Sequence, residues 1–329
     1  MSYTTSTVNY QSASKRLGLS YDNLGLVISD WDDTITARDT ISLIFRAIKK
    51  VKPNSKYDAE HFKSIYQTQH DIFLDSKKHF LSRDSVAKEI EYQKHVKKVE
   101  LSSVNEMVKV KYAENIPKRS FTNECEEIKI KSGFYEFFNE FLNHNSSNGS
   151  KSDSSPLPFI VLSVNWTSLF IEEYFKKNFS IRDKLDEETF EIICNEFEFD
   201  ESTNLSTGNI LGHIKGIKDG NFELRDIRTG YDKLLVTEYL LSKYGMHNSN
   251  KRSLYLGDSA TDVLSMISCG KGIIMRNGNA ESTLKRLGFK VTDIADLTNS
   301  KDDDDSEIDF LLVDNWFDLH NILTSVSDK

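Results

Sequence analysis

Apolar residues along this chain fall into short solid runs and longer spaced patterns, and the two kinds take turns. Leu24–Ser29 (LGLVIS) is a short run rich in branched residues that stops abruptly at Asp30. Such a run fits a buried parallel strand ending in a polar loop. Phe159–Leu162, residues 190–194, residues 253–256 and Gly272–Met275 repeat that form, each leading into polar residues. Phe310–Val313 reads as a late edge strand followed by a C-terminal helix. Between these runs the spacing changes to the helical three-and-four period, at 40–50, 57–130, 134–142, 166–175 and 231–244. Strands that alternate with helices predict βαβ units, and so an α/β fold with a doubly wound, mostly parallel sheet.

Three stretches fall outside that alternation. Residues 1–20 are rich in Ser and Thr and contain no acid, which predicts a flexible N-terminal arm. Their likeness to a mitochondrial presequence is weak, because repeated Arg and an apolar helical face are missing. Residues 144–158 (HNSSNGSKSDSSPLP) have no apolar period and predict a flexible surface insertion. Residues 298–309 include the acidic run Asp302–Asp305, which lacks the Gly and closing Glu of a calcium loop and reads as solvated.

Composition narrows the classes. The 329 residues suggest two domains, or one domain with a large insertion. An apolar share of 38% supports a packed core and excludes a wholly disordered chain. No stretch approaches the roughly 18 apolar residues of a membrane span. Three Cys with no CxxC support neither a disulfide framework nor a structural zinc site, and a reduced, cytoplasmic setting is the simplest reading. The net charge of −9 argues against a nucleic-acid partner. Nothing points to a membrane or to an obligate protein partner. Yet residues 36–132 carry an excess of base over acid. That asymmetry reads either as ordinary solvated helix faces or as a basic lid over an acidic body.

In open α/β sheets the working residues lie beyond the carboxyl ends of the strands. Asp30-Trp31-Asp32-Asp33-Thr34 follows the first run, Ser163 the second, and Gly257-Asp258-Ser259-Ala260-Thr261-Asp262 the fourth. Lys233 opens the helix before that fourth strand. Several carboxylates, a hydroxyl and a lysine would therefore meet at one rim. Like charges in a cleft raise one another's pKa unless a cation offsets them, and Mg2+ suits carboxylates, a carbonyl and a substrate phosphate. Cation, lysine, hydroxyl and carboxylate nucleophile are what phosphoryl transfer needs.

Asp30-x-Asp32-x-Thr34, Ser163, Lys233 and Gly257-Asp258-x-x-x-Asp262, in that order and strand context, resemble the four motifs of the haloacid-dehalogenase superfamily of phosphohydrolases. The resemblance spans residues 24 to about 275. It implies a Rossmann-like core formed by residues 21–36 and 132–329, with a helical C1-type cap at 37–131, as in the phosphoserine-phosphatase-like branch. It implies Asp30 as nucleophile and Asp32 as general acid and base, with Ser163 and Lys233 on the phosphoryl oxygens. Asp30, Asp258 and the backbone carbonyl of Asp32 would hold Mg2+, and Thr34 and Asp262 would support the loop, the lysine or the metal's waters. Asp39 falls where that branch carries an acidic substrate contact, and it equally suits a helix N-terminus. The strings TGYDK (229–233) and GDSATD (257–262) are similar to those of plant thiamin monophosphate phosphatases and fungal relatives. Ser163-Val164-Asn165 departs from the Ser-Gly-Gly of phosphoserine phosphatases, which tells against phosphoserine as substrate. The implied activity is hydrolysis of a small phosphorylated metabolite. A phosphotransferase or mutase would use the same residues, and a non-catalytic regulatory protein could retain the fold.

Outside the motifs, His61, His70 and His79 recur every nine residues, which alternates helix faces and builds no metal site. Cys269 reads as a small packed residue. Trp166 suits either a substrate platform beside Ser163 or the core.

Overall fold

A computed structural model describes residues 8–148, 156–179, 189–212, 217–219, 222–298 and 306–325. It begins with α1 (Tyr10–Leu17), then β1 (Leu24–Ser29), which ends one residue before Asp30. Next come α2 (Ile41–Val51), α3 (Ala59–Ser76), α4 (Val86–Lys109), the short strand β2 (Glu114–Pro117) and α5 (Lys118–Thr122). The chain then alternates through α6 (Phe134–Asn148), β3 (Phe159–Leu162), α7 (Leu169–Phe179), β4 (Phe190–Ile193), and the hairpin β5 (Asn195–Phe199) and β6 (Leu205–Gly212). A two-residue pair, β7 (Lys218–Asp219) and β8 (Phe222–Glu223), leads to α8 (Gly230–Lys243) and β9 (Arg252–Gly257). The last elements are α9 (Val263–Cys269), β10 (Gly272–Met275), α10 (Ala280–Arg286), β11 (Val291–Asp293), β12 (Phe310–Val313) and α11 (Trp316–Thr324).

Seven strands form one sheet in the order β11-β12-β10-β9-β1-β3-β4, and every pairing in it is parallel. The register sets Ser29 of β1 beside Val161 of β3 and Leu256 of β9, so the three chains end level with one another. Their side chains are almost wholly buried, because helices cover both faces. One face packs on α1, α6, α7 and α11 through Phe134, Phe138, Phe159 and Trp316. The other packs on α8, α9 and α10 through Ile28, Val236, Leu240 and Tyr255.

The sequence pattern differs from the structure at four places. Residues 8–20 are not a loose arm: Asn9 accepts a hydrogen bond from Ser12 N and Gly18 closes α1 at φ 64°. Ala13 and Leu17 are buried, and Arg16 donates to the Ser306 carbonyl at 2.9 Å. The Ser/Thr content masked the short apolar face of this 8-residue helix. Residues 1–7 of the expected arm, 149–155 of the expected insertion and 299–305, with the acidic run, lie outside the described residues. The start of the expected insertion, 144–148, continues α6. Phe310–Val313 is an interior strand, and the edge is β11, whose three half-buried residues carry no apolar run.

The fourth difference concerns the long segment after Thr34. The bridge Thr36↔Ile130 marks where the chain leaves the sheet and returns. Between those points lie α2 to α5, with Ile44, Ala47 and Ile48 forming the buried stripe of α2. The segment is not purely helical, since β2 pairs antiparallel with β6 and so joins the hairpin that follows β4. Its longest helix, α4, is tied to the start of α8. Lys97 Nζ lies 2.8 Å from both Asp226 and Asp232, and Gly230 N donates to Gln93 Oε1 at 3.0 Å. No helix among the described residues is long and apolar enough to cross a membrane.

Candidate active site

The loop after β1 is held by its own backbone. The Trp31 carbonyl accepts from Ile35 N and Thr36 N at 3.0 Å each, and Asp33 takes a positive φ of 53° to make the turn. Buried rings lock it from two sides: Trp31 Nε1 donates to Thr40 Oγ1 at 3.1 Å, and Trp316 Nε1 donates to the Thr34 carbonyl at 2.8 Å. Asp30 is thereby fixed at the strand end, with its amide bonded to Leu256 O of β9.

Lys233 arrives from the first turn of α8. A capping box between Thr229 and Asp232 starts that helix in register. Lys233 is 0% exposed, and its ammonium lies 2.7 Å from both Asp30 Oδ1 and Asp262 Oδ1. Asp262 has no further capacity. Its Oδ1 also accepts from Tyr255 OH at 3.0 Å, and its Oδ2 accepts from Ser259 N and Oγ at 3.0 and 2.8 Å. It positions the lysine. Gly257 permits this, because a Cβ there would collide with the Asp262 side chain. Asp258 is bound lightly: Thr34 Oγ1 donates to it at 3.3 Å. Its backbone is pinned by Ala280 N at 2.8 Å, and a Cβ at Gly278 would strike its carbonyl oxygen.

Carboxylate oxygens of Asp30, Asp258 and Asp262 all lie within 4.8 Å of one another. Lys233 pairs with two of these carboxylates and acts on Asp258 through its charge alone. Burial pushes the Asp30 pKa up, Lys233 opposes this, and Asp262 and Asp258 push it further. Burial and Asp262 push Asp258 up to about 7. Burial alone would lower Lys233, but Asp262 and Asp30 outweigh it and raise the pKa. The half-buried ammonium of Lys131, which burial destabilises, faces Asp258 and Asp33. A divalent cation on the unsaturated oxygens of Asp30 and Asp258 fits this excess of negative charge, and hard oxygen donors fit Mg2+.

The Asp32 carboxylate points elsewhere. Its Oδ1 accepts from Thr40 N and Thr40 Oγ1 at 2.6 Å each, and its Oδ2 from Asn165 Nδ2 at 2.9 Å. Burial, then the charge of Asp39, raise it to about 7 against those hydrogen bonds. Ser163 is buried at the end of β3, where its Oγ accepts from Asn165 N at 3.0 Å and keeps its proton to donate. Asn165 therefore links Ser163 to Asp32, a role its place three residues past the strand did not reveal. Thr40, Tyr255 and Gly278 were also not foreseen, since each acts through a contact that no local periodicity encodes. Asp39 is exposed and accepts from Ile41 N at 2.7 Å at the start of α2, just before the N-cap residue Thr40, while it also borders a neighbouring cavity. His61, His70 and His79 pack against Tyr57, Tyr66 and Phe80.

No family model matches the chain. A Schizosaccharomyces pombe protein of the CTO1 family is 25% identical over 261 residues, covering 77% of this chain and 82% of that one. The kanosamine-6-phosphate phosphatase of Bacillus subtilis is 28% identical over 120 residues, 36% of this chain and 39% of that one. Among solved structures, a phosphoserine phosphatase with an analogue of its phospho-aspartyl intermediate aligns over 93% of this chain and all of its own, with 13% identity and a TM-score of 0.48.

Proposed function

We propose that the chain is a Mg2+-dependent phosphomonoesterase acting on a small phosphorylated metabolite through an aspartyl-phosphate. The observation that carries the reading is the charge balance at the strand ends, where Asp30, Asp258 and Asp262 meet one buried lysine. The likeness to a sugar-phosphate phosphatase over the matched residues supports it.

Asp30 Oδ attacks phosphorus and the bond to the ester oxygen breaks. Asp32, half-protonated near neutrality, gives that oxygen its proton. The carboxylate of Asp32 then takes a proton from the water that attacks the aspartyl-phosphate, and orthophosphate leaves. Thr40 and Asn165 keep Asp32 aimed through both steps. Lys233 favours the ionised form of Asp30 against its burial and binds a phosphoryl oxygen, and Ser163 Oγ donates to another. Asp30, Asp258 and the Asp32 carbonyl would hold Mg2+, which supplies charge neutralisation at the phosphoryl group. The segment 37–131 acts as the cap, which excludes water from the closed site.

The test is hydrolysis of p-nitrophenyl phosphate with Mg2+. Activity should vanish with chelator and in Asp30→Asn. Equal activity in the variant and the wild type, or none with any divalent metal, overturns the reading.

A further inference from the structure

A cavity of about 480 Å³ is lined in part by Val164 and Asp39, the chain neighbours of Ser163 and Thr40. It is bounded by α2, α3 and α4 on one side and by the loop after Ser163 on the other, with Asp39 at its border. Phe45, Phe62, Tyr66 and Trp166 give it aromatic faces, and Lys63 and Glu100 also line it. Phe45 sits edge-on to Trp166 with centroids 5.7 Å apart, and tilted against Phe62 at 5.9 Å. Trp166 is only half-buried, so part of its ring remains open.

One polar group in this wall lacks a partner. Arg228 is 5% exposed and lines the cavity, and its Nη1 has no hydrogen-bond partner among the described residues. Its Nε lies 3.4 Å from Asp226 Oδ2, and the charges of Asp226 and Asp232 act on it. Glu100 in the same wall feels it too. The positive charge is therefore already balanced, whereas one N–H is not satisfied. A buried donor in that state favours a ligand that brings an acceptor, and a neutral acceptor suffices. Arg228 is also tied to the site itself, since its amide donates at 2.8 Å to Asp232, the residue before Lys233.

Resting on the phosphatase reading, we infer that this cavity takes the alcohol portion of the substrate, a planar ring carrying a neutral hydrogen-bond acceptor, and that Arg228 determines specificity by donating Nη1–H to that acceptor. The aromatic walls hold the ring by stacking. The phosphate then lies over Asp30, with the ester oxygen toward Asp32.

Binding separates this inference from turnover. The full-length Asp30→Asn protein with Mg2+ is titrated calorimetrically with pyridin-3-ylmethyl phosphate, benzyl phosphate and glycerol 3-phosphate. The first two share a shape and differ in one acceptor. The pyridine ester should bind at least about tenfold more tightly than the benzyl ester, and the benzyl ester more tightly than glycerol 3-phosphate. Adding Arg228→Met should erase the first preference, Arg228→Lys should restore part of it, and Trp166→Ala should erase the second. Equal affinity for the two ring esters, a preference that survives in folded Arg228→Met, glycerol 3-phosphate binding as tightly as the rings, or no binding of any probe overturns the inference. If binding discriminates while the wild type hydrolyses none of the three, the cavity assignment stands and the phosphatase reading falls. Hydrolysis of all three without discrimination does the reverse.

Discussion

A lone buried carboxylate on β5 and the three that gather past the ends of β1 and β9 are treated in opposite ways. Glu196 on β5, 6% exposed, has no cation among its hydrogen-bond partners. Its oxygens accept from Thr167 Oγ1 at 2.5 Å, from Ser168 N and Oγ at 3.0 Å each, and from Phe197 N at 2.8 Å. Every direction is filled by a neutral donor, and burial still pushes its pKa up to about 7. Around Lys233 three carboxylates crowd one ammonium, and Asp258 keeps oxygens with little to accept. Glu196 braces the turn before α7. The rim carries an excess of negative charge that protonation or an added cation relieves. The number of carboxylates does not separate a structural acid from a functional one. The donors still missing do.

The sharpest way to break this comparison is at the rim. Asp30→Asn should cost at least about a thousandfold in kcat on an aryl phosphate, because it removes the proposed nucleophile. Retained activity would make the rim as structural as Glu196. Lys233→Met should lower stability by about 3–5 kcal/mol in urea unfolding, since it leaves buried carboxylates uncompensated. Added Mg2+ should recover part of that loss, through preferential binding to the folded state. No such recovery is expected at Glu196.

Glu196 gives a signed pH effect. Its folded pKa of about 7 lies above its ordinary value of 4.5, so the folded state holds the proton more tightly. Its contribution is fully present below about pH 4.5 and is lost as pH rises through about 7, on the order of 3 kcal/mol at most. The wild type should therefore lose stability across that window relative to Glu196→Gln, measured as unfolding midpoints at each pH. Parallel pH curves would show that the neutral donors satisfy the ionised carboxylate fully. The smallest effect concerns the basic excess of residues 36–132. Lys49→Ser with Lys98→Ser, both exposed, should raise KM a few-fold at low salt and less at high salt. An equal rise at both salts would assign the lysines a local contact instead of a long-range field.

How far these groups could be read in advance follows from how each is built. Asp30, Asp32, Thr34, Asp258 and Asp262 lie in two short strings at strand ends, so spacing alone exposed them. Lys233 was legible from its place at a helix start. The partners that orient them were not. Thr40 and Asn165 meet at Asp32 from positions 125 residues apart. Tyr255 belongs to a strand whose side chains read simply as core, and its hydroxyl reaches Asp262. In the fold, β1, β3, β9 and β10 announced themselves as solid apolar runs. The edge strand β11 did not, because half-buried residues need no such run. The interior place of β12 depends on pairing, which no local pattern encodes.

The sequence by itself determined the alternation of strands and helices, the parallel α/β class and the acids at the strand ends, because these follow from local periodicity and from where polar residues interrupt it. Only the tertiary structure decided which acids remain unsatisfied, that Asp262 serves the lysine, and that Arg228 keeps a free N–H in an aromatic cavity. Those properties depend on donors and acceptors brought from distant segments and on the burial that makes each missing partner costly. A chain of residue types fixes the inventory of polar groups, and folding fixes which of them are left for a ligand.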